Sequence, residues 1–445
     1  MSLQRLYPAA SYAPRPDPGN FWQTTVTLPE PPARPDGDLR ADVAIIGAGV
    51  TGLNAARLLA RGGLDVVVLD AAWPGWGASG RAGGFVCMGG SKLDNATLIK
   101  RFGLTEARAF IATQTGAVEY VREVLKTEKI QADAHGHGEW SLAHRPRDAA
   151  GFAEDAAFLK ASFGIQAELF SQAQLAERGL ASPAFHGALH HPIGFALNPL
   201  KYTLGLARAA SKAGVRIYGN APVMALHAGA PNRLVTPGGS ISARHVIIAT
   251  NGYSADGLAP WMDGRYLPVP SNIIVTRVIS PAEQKAQGWS ATEPVFDTRH
   301  LLHYFRLMPD GRMMFGMRGG TNLRPRDMAR MQRRIRRDFE AIFPAWAHVE
   351  TPHFWSGLVC MNRSLTAYCG PVPGYDHVWT AHAYQGSGIA MGSYCGAALA
   401  QIILGQKSPK SLPTPMREPP ARFPFPGMRR HLLGLAYAGY GWKDR

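Results

Sequence analysis

The stretch ADVAIIGAGVTGLNAARLLARGGLDVVVLD, residues 41–70, narrows the fold more than any other part of the chain. Residues 43–46 form a short apolar run of the kind buried on both faces of a parallel sheet. Gly47, Gly49 and Gly52 follow at the spacing G-x-G-x-x-G, and Leu53, Ala56, Leu59 and Ala60 then recur at helical spacing. The three glycines permit different things. Gly47 allows a tight turn, Gly49 lets backbone approach a pyrophosphate, and Gly52 lets the helix pack closely on the strand. The unpaired N–H groups and positive dipole end of that helix favour a diphosphate. A second apolar run ends in Asp70, 18 residues after Gly52, near where an acid binds a ribose hydroxyl. A chance tight turn would explain the glycines alone, but not the strand, helix and acid together. An acid at this position also disfavours a 2′-phosphate, hence NADP.

The chain has 445 residues, enough for two domains, and its 46% hydrophobic and 18% charged content is that of a globular protein. The formal net charge of +15 raises the question of nucleic acid. The densest basic run, Arg330, Arg333, Arg334, Arg336 and Arg337, shares its stretch with Met328, Met331, Ile335, Phe339 and Ile342. That spacing predicts one amphipathic helix with a solvated basic face, so nucleic acid is not expected, whereas anionic small molecules suit the charge. The cysteines Cys87, Cys360, Cys369 and Cys395 form no C-x-x-C pair, which fits a reducing, cytoplasmic setting. The first 40 residues have no apolar core of a secretory signal, and no run is apolar enough to span a membrane.

Along the chain, nucleotide-type segments at 41–98, 190–262 and 355–405 alternate with segments rich in antiparallel-type strands and helices at 99–189 and 263–354. Residues 1–40 read as an extended proline-rich arm and 406–445 as a tail. The expected fold is α/β: a Rossmann-like domain interrupted twice by an α+β, antiparallel-sheet substrate domain. Within the latter, Pro-Asp-Gly at 309–311 predicts a hairpin over 303–318.

Further motifs favour FAD as the dinucleotide: GWGASGRAGG at 75–84, VIIATNGY at 246–253 and AYQGSGIAMGSYCG at 383–396. With these, and with FWQTT, WSGLVCMNR and FPFPGMRRHLLGLAY, the chain resembles the FAD-dependent D-amino-acid oxidase/sarcosine oxidase family, and within it the γ-glutamylputrescine oxidase-like branch. The likeness spans nearly the whole chain. It implies that Gly47, Gly49, Gly52 and Asp70 hold the ADP half, and that Ser79 and Arg81 lie near the pyrophosphate and flavin. It implies that the backbone of Val223 meets adenine, that Gly252 turns the chain near the cofactor, and that Gly386, Ser387 and Gly388 open a helix facing the flavin pyrimidine ring. Plainer readings exist: a turn hydroxyl for Ser79, a surface ion pair for Arg81, strand core for Val223 and a loop closure for Gly252. The family usually has Gly-His-Gly where Ser387 stands here, and its Thr-x-Asp element is replaced by RSLTAYCGPVPG at 363–374.

The chemistry this resemblance implies is oxidation of a C–N bond. A hydride passes from the carbon beside a neutral amine nitrogen to flavin N5, and the resulting imine hydrolyses, with O2 as the expected electron acceptor. The alternatives are a dehydrogenase serving a quinone or carrier protein, touching a membrane surface through the basic, aromatic tail, and a flavin-binding protein without turnover. The hairpin that covers the flavin in the family carries Tyr304, Arg306 and Arg318; either arginine can clamp a carboxylate. A solvent-facing strand arginine is the bland alternative for each. Tyr304 and Tyr384 can wall an amine site, or be core aromatics. His382 can shift a proton, although a structural histidine is the commoner case. His135 and His137 are too few to hold a metal, and none is expected. In the sarcosine oxidase relatives a cysteine in this region joins the flavin covalently; Cys360 occupies a comparable place, but a core thiol is the expected role.

Overall fold

A computed structural model of the chain describes residues 3–444; the ends of the arm and tail beyond them lie outside the described residues. Two large sheets face each other. The first runs Tyr368–Pro371, Val378–His382, Gly239–Ile248, Leu39–Ile46, Val66–Leu69, Arg216–Tyr218, with Asn232–Thr236 and Ala225–His227 added as an antiparallel flap. Its central strands are parallel, Val43–Ile46 pairing with Val66–Leu69 on one side and His245–Ile248 on the other. Helices must carry such crossovers. Val50–Arg61 and Gly388–Ile403 pack so closely that a Cβ on Gly396 would meet the Thr51 carbonyl at 2.2 Å.

The second sheet runs His353–Met361, Leu267–Val278, Arg312–Arg318, His303–Leu307, Val295–Asp297, Glu139–Leu142, Gly187–His191, Glu168–Ser171 and is mostly antiparallel. The predicted hairpin forms, with Asp310 and Gly311 at its turn. The helix Pro325–Ile342 buries Met331, Ile335, Phe339 and Ile342 against this sheet and leaves Arg330, Arg333, Arg334 and Arg337 outward.

Three placements differ from the sequence expectations. His353–Met361, grouped with the nucleotide segments by its position in the chain, pairs with Leu267–Val278 in the second sheet. Gly187–His191, which straddles the expected boundary after residue 189, lies wholly in that sheet, paired with Glu139–Leu142. Strand partnership is set by long-range register, which local pattern does not carry. The arm is not simply extended: it makes a helical turn, Phe21–Thr24, capped by Asn20, and buries Phe21 and Trp22. Its Asn20 amide and Trp22 indole donate to the carbonyls of Gly80 and Ala82. The tail ends in a helix, Arg429–Lys443, docked through Arg429, Leu433 and Tyr437.

Candidate active site

The carboxyl ends of the parallel strands open onto one long cavity whose far wall is the second sheet. Ligands of open parallel sheets bind at this edge. One end of the cavity is lined by Gly47–Thr51, Asp70, Ser79, Arg81, Val223 and the Asn251–Tyr253 turn; the other by Phe85, Met88, Lys92, Glu139, Phe296, Tyr304, Arg318 and Gln385.

The nucleotide end is built by backbone. Gly47 has φ +108°, a conformation that favours glycine. A Cβ on Gly52 would stand 2.0 Å from the Gly47 carbonyl, so only glycine lets the helix start so near the turn. Gly49 caps that helix without a side chain, and its first-turn N–H groups, which lack intrahelical partners, border the cavity. Ser79 Oγ accepts from the Val50 N–H at 3.0 Å and lies where a Gly49 side chain would go, 2.8 Å from its Cβ position. Asp70 accepts from the Ala48 and Ala72 N–H groups at 2.7 and 2.8 Å. The acid therefore holds the glycine turn as well as facing the cavity. Burial pushes its carboxyl up, against those two N–H groups.

Arg81 is held on three sides. It donates to the Trp76 and Ser356 carbonyls and pairs with Asp17 of the arm at 2.6 Å. The pair is largely buried, not on the surface, and the arm supplies half of it. Val223 is buried and lines the cavity. Gly252 sits where a Cβ would be 3.0 Å from the Leu358 carbonyl.

A second helix start meets the cavity at Gly388. Its cap residue, Ser387, makes no cap bond; its hydroxyl instead donates to the Met88 carbonyl at 3.2 Å. Gly386 has φ +117° and lies under Arg318, whose Nη2 donates to the Gln385 carbonyl at 2.8 Å. The positive end of this helix suits an anionic ring system. The nucleotide turn, the acid and two helix starts on one cavity fit FAD by their donor chemistry.

The four substrate candidates separate. Tyr304 lines the cavity; its hydroxyl is 2.8 Å from Ser271 Oγ, and burial pushes its pKa up to about 12. Arg318 lines the cavity, buried, and donates to no carboxylate among the described residues. Arg306 does not fit the clamp role expected of it. Its side chain is 1% exposed and lies off the cavity lining. Its donors go to the Gly83 and Leu197 carbonyls and to His135 Nε2, at 3.2, 2.7 and 2.8 Å. It is not on the solvent face either: neighbouring residues on a strand point to opposite faces, and both faces here are covered. Tyr384 borders the cavity, but its hydroxyl accepts from Thr51 and donates to the Ala381 carbonyl, tying the first cofactor-facing helix to the strand end and turn that precede the second. His382 is buried off the cavity, and burial lowers its pKa to about 4, so it is neutral. His135 serves Arg306 as an acceptor, not a metal.

Cys360 lines the cavity, but burial pushes its thiol up to about 12. Lys92, Glu139, Phe85, Phe296 and Gln385 were not legible from the chain alone. Only a lysine shortly after the glycine-rich segment was there to be seen, and no motif marked it.

Several known proteins resemble this chain. Residues 42–402 match the family described as FAD dependent oxidoreductase. A probable oxidoreductase OrdL of Rhizobium meliloti is 32% identical over 436 residues, spanning 96% of this chain and 98% of that one. The γ-glutamylputrescine oxidoreductase of Escherichia coli is 28% identical over 415 residues, 92% of this chain and 93% of the other. In structure, glycine oxidase from Geobacillus kaustophilus superposes with a TM-score of 0.67 over 83% of this chain and 96% of its own, at 20% identity, a likeness of fold.

Proposed function

We propose, for a chain that belongs to the FAD-dependent oxidoreductase family, that the substrate is an amine or amino acid bearing a carboxylate, and that O2 is the electron acceptor. The observation that carries the substrate class is Arg318: a buried guanidinium at the cavity end opposite the nucleotide turn, with donors left over after its bond to Gln385. A buried cation without a carboxylate partner is costly, and a bidentate substrate carboxylate offsets that cost. Relatives of this chain include one named for γ-glutamylputrescine, itself an amine with a carboxylate.

In this reading the Gly47–Thr51 turn and Asp70 hold the ADP half, Ser79 and Arg81 the diphosphate region, and the start of the Gly388 helix the flavin ring. Bound FAD supplies the acceptor for the hydride from the substrate carbon. The chain's own residues position that carbon: Arg318 fixes the carboxylate, while Tyr304, Phe85 and Phe296 exclude water around the amine. No side-chain nucleophile is needed. Four buried, unpaired cysteines suit the cytoplasm.

Anaerobic addition of an amine and amino-acid panel to the yellow holoenzyme tests the reading. Bleaching by carboxylated amines supports it; no bleaching by any amine rejects it. A second reading, electron transfer to a membrane quinone, is favoured by the last helix, which exposes Leu435 and Trp442 beside Arg430 and Lys443. Oxygen uptake during turnover favours the oxidase; turnover with a quinone analogue alone favours the dehydrogenase. No helix among the described residues is long and apolar enough to cross a membrane.

A further inference from the structure

Among the described residues, Lys92 is the one lysine that lines the cavity. Its backbone is fixed, the N–H donating to the Leu365 carbonyl at 2.8 Å, with Ser91 bridged to Thr366 beside it. Its side chain lines the substrate end of the cavity and makes no hydrogen bond or ion pair among the described residues. Two titratable groups on different elements act on it electrostatically: Arg318 at the end of the hairpin and Glu139 at the start of its strand. Glu139 in turn lies against Cys87 and has His191 Nε2 at 3.6 Å. Lys92, Arg318 and Glu139 all line the cavity.

That juxtaposition solves a chemical problem which the proposed reaction leaves open. An amine substrate carrying a carboxylate reaches the site as a zwitterion at neutral pH. Its nitrogen has no lone pair until one proton leaves, and hydride departure from the neighbouring carbon needs that lone pair. Arg318 takes the carboxylate and cannot accept a proton. Tyr304 is a protonated phenol, and His382 is outside the cavity.

We propose that Lys92 receives the proton from the substrate's ammonium nitrogen. The step breaks one N–H bond of the substrate ammonium, and the electron pair stays on that nitrogen. The proton bonds to the lone pair of Lys92 Nζ, which becomes an ammonium; nothing is oxidised or reduced. Lys92 is exposed, so release of this proton to water returns it to its amine form. The electrostatics support this step. The Arg318 charge is the larger cause that pulls Lys92, which is open to the cavity, down to about 7, so that a large fraction is amine at neutral pH. Burial pushes Glu139 up to about 8, so at neutral pH it is mostly protonated and leaves the substrate's proton to Lys92.

This inference rests on the amine-oxidation reading, but its first test does not. The holoenzyme is labelled with trace acetic anhydride across pH 6–11, and the peptide holding Lys92 is compared by mass spectrometry with that holding Lys407. Lys407 is exposed at the end of the first sheet's last helix. Lys92 labelling should reach half its maximum near pH 7, and benzoate, a carboxylate probe for Arg318, should protect it. A Lys92 curve in the ordinary lysine range overturns the proposal whether or not an amine substrate is ever found.

The second test uses whichever amine bleaches the flavin. The kcat/KM of the wild-type protein should rise through an acid limb near pH 7. Lys92→Met should lower kcat/KM at pH 7 by about 10²–10⁴-fold and regain activity as pH approaches the substrate's own amine ionisation. A uniform loss at all pH values, or an unchanged profile, overturns the role. Lys92→Arg, which keeps the charge and cannot accept the proton, should behave as Lys92→Met.

Discussion

Arg318 donates to the carbonyl of Gln385, 2.8 Å away, and so lies over the glycine turn that starts the second cofactor-facing helix. A Cβ on Gly386 would stand 2.2 Å from its guanidinium. The residue proposed to anchor the substrate is therefore indexed to the element proposed to face the flavin ring. Displacing one displaces the other.

Arg318→Ala should raise KM for a carboxylated amine by about 10–150-fold, the equivalent of about 1.5–3 kcal/mol for a charged hydrogen-bonded contact. Arg306→Ala is the contrast. It removes donors to the Gly83 and Leu197 carbonyls and should cost about 1–3 kcal/mol of stability, read by denaturant unfolding. Equal KM effects from the two variants would refute the assignment of the anchor.

Gly49→Leu should abolish flavin retention. Its Cβ would press on Ser79 Oγ, which holds the first N–H of the helix, and the rest of the side chain would enter the cavity. The measurement is the ratio of flavin to protein absorbance after gel filtration. Full retention of FAD would show that the diphosphate does not sit at this turn.

Flavin should leave the protein on acid precipitation. Attack on the ring by a cysteine needs a thiolate. The Cys360 thiol, pushed up to about 12 by burial, stays protonated at neutral pH. A yellow pellet with flavin mass on the peptide holding Cys360 would overturn this expectation.

His303 should make stability depend on pH. It is buried, with Nδ1 2.7 Å from Asp297 and Nε2 3.4 Å from Asp338. Burial alone would lower its pKa, but the Asp297 charge and hydrogen bond, helped by Asp338, outweigh burial and raise it. The unfolded value is about 6.5. The contribution of the pair is thus complete below that pH and is lost as pH rises through the raised folded value. The Tm difference between wild type and His303→Asn should shrink between pH 6 and pH 9. A constant difference would mean that His303 does not change charge on folding.

The nucleotide turn could be read from sequence because its constraints are local. Gly47, Gly49, Gly52 and Asp70 answer to backbone sterics and dipoles within one strand–turn–helix unit, and the unit's periodicity changes from a strand run to helical spacing. The basic helix was legible for the same reason: Met331, Ile335 and Phe339 recur at helical spacing whatever they pack against. The substrate end was not, because it is assembled from chain segments far apart. Arg306 and Arg318 look alike as hairpin arginines, yet the backbone of a distant loop at Gly83 and Leu197 consumes one, while the other meets only Gln385. Lys92 and Glu139 are ordinary residues in sequence. Only the tertiary structure brings them into one cavity, where the Arg318 charge lowers Lys92 and burial raises Glu139, and such through-space effects leave no periodic trace in the chain.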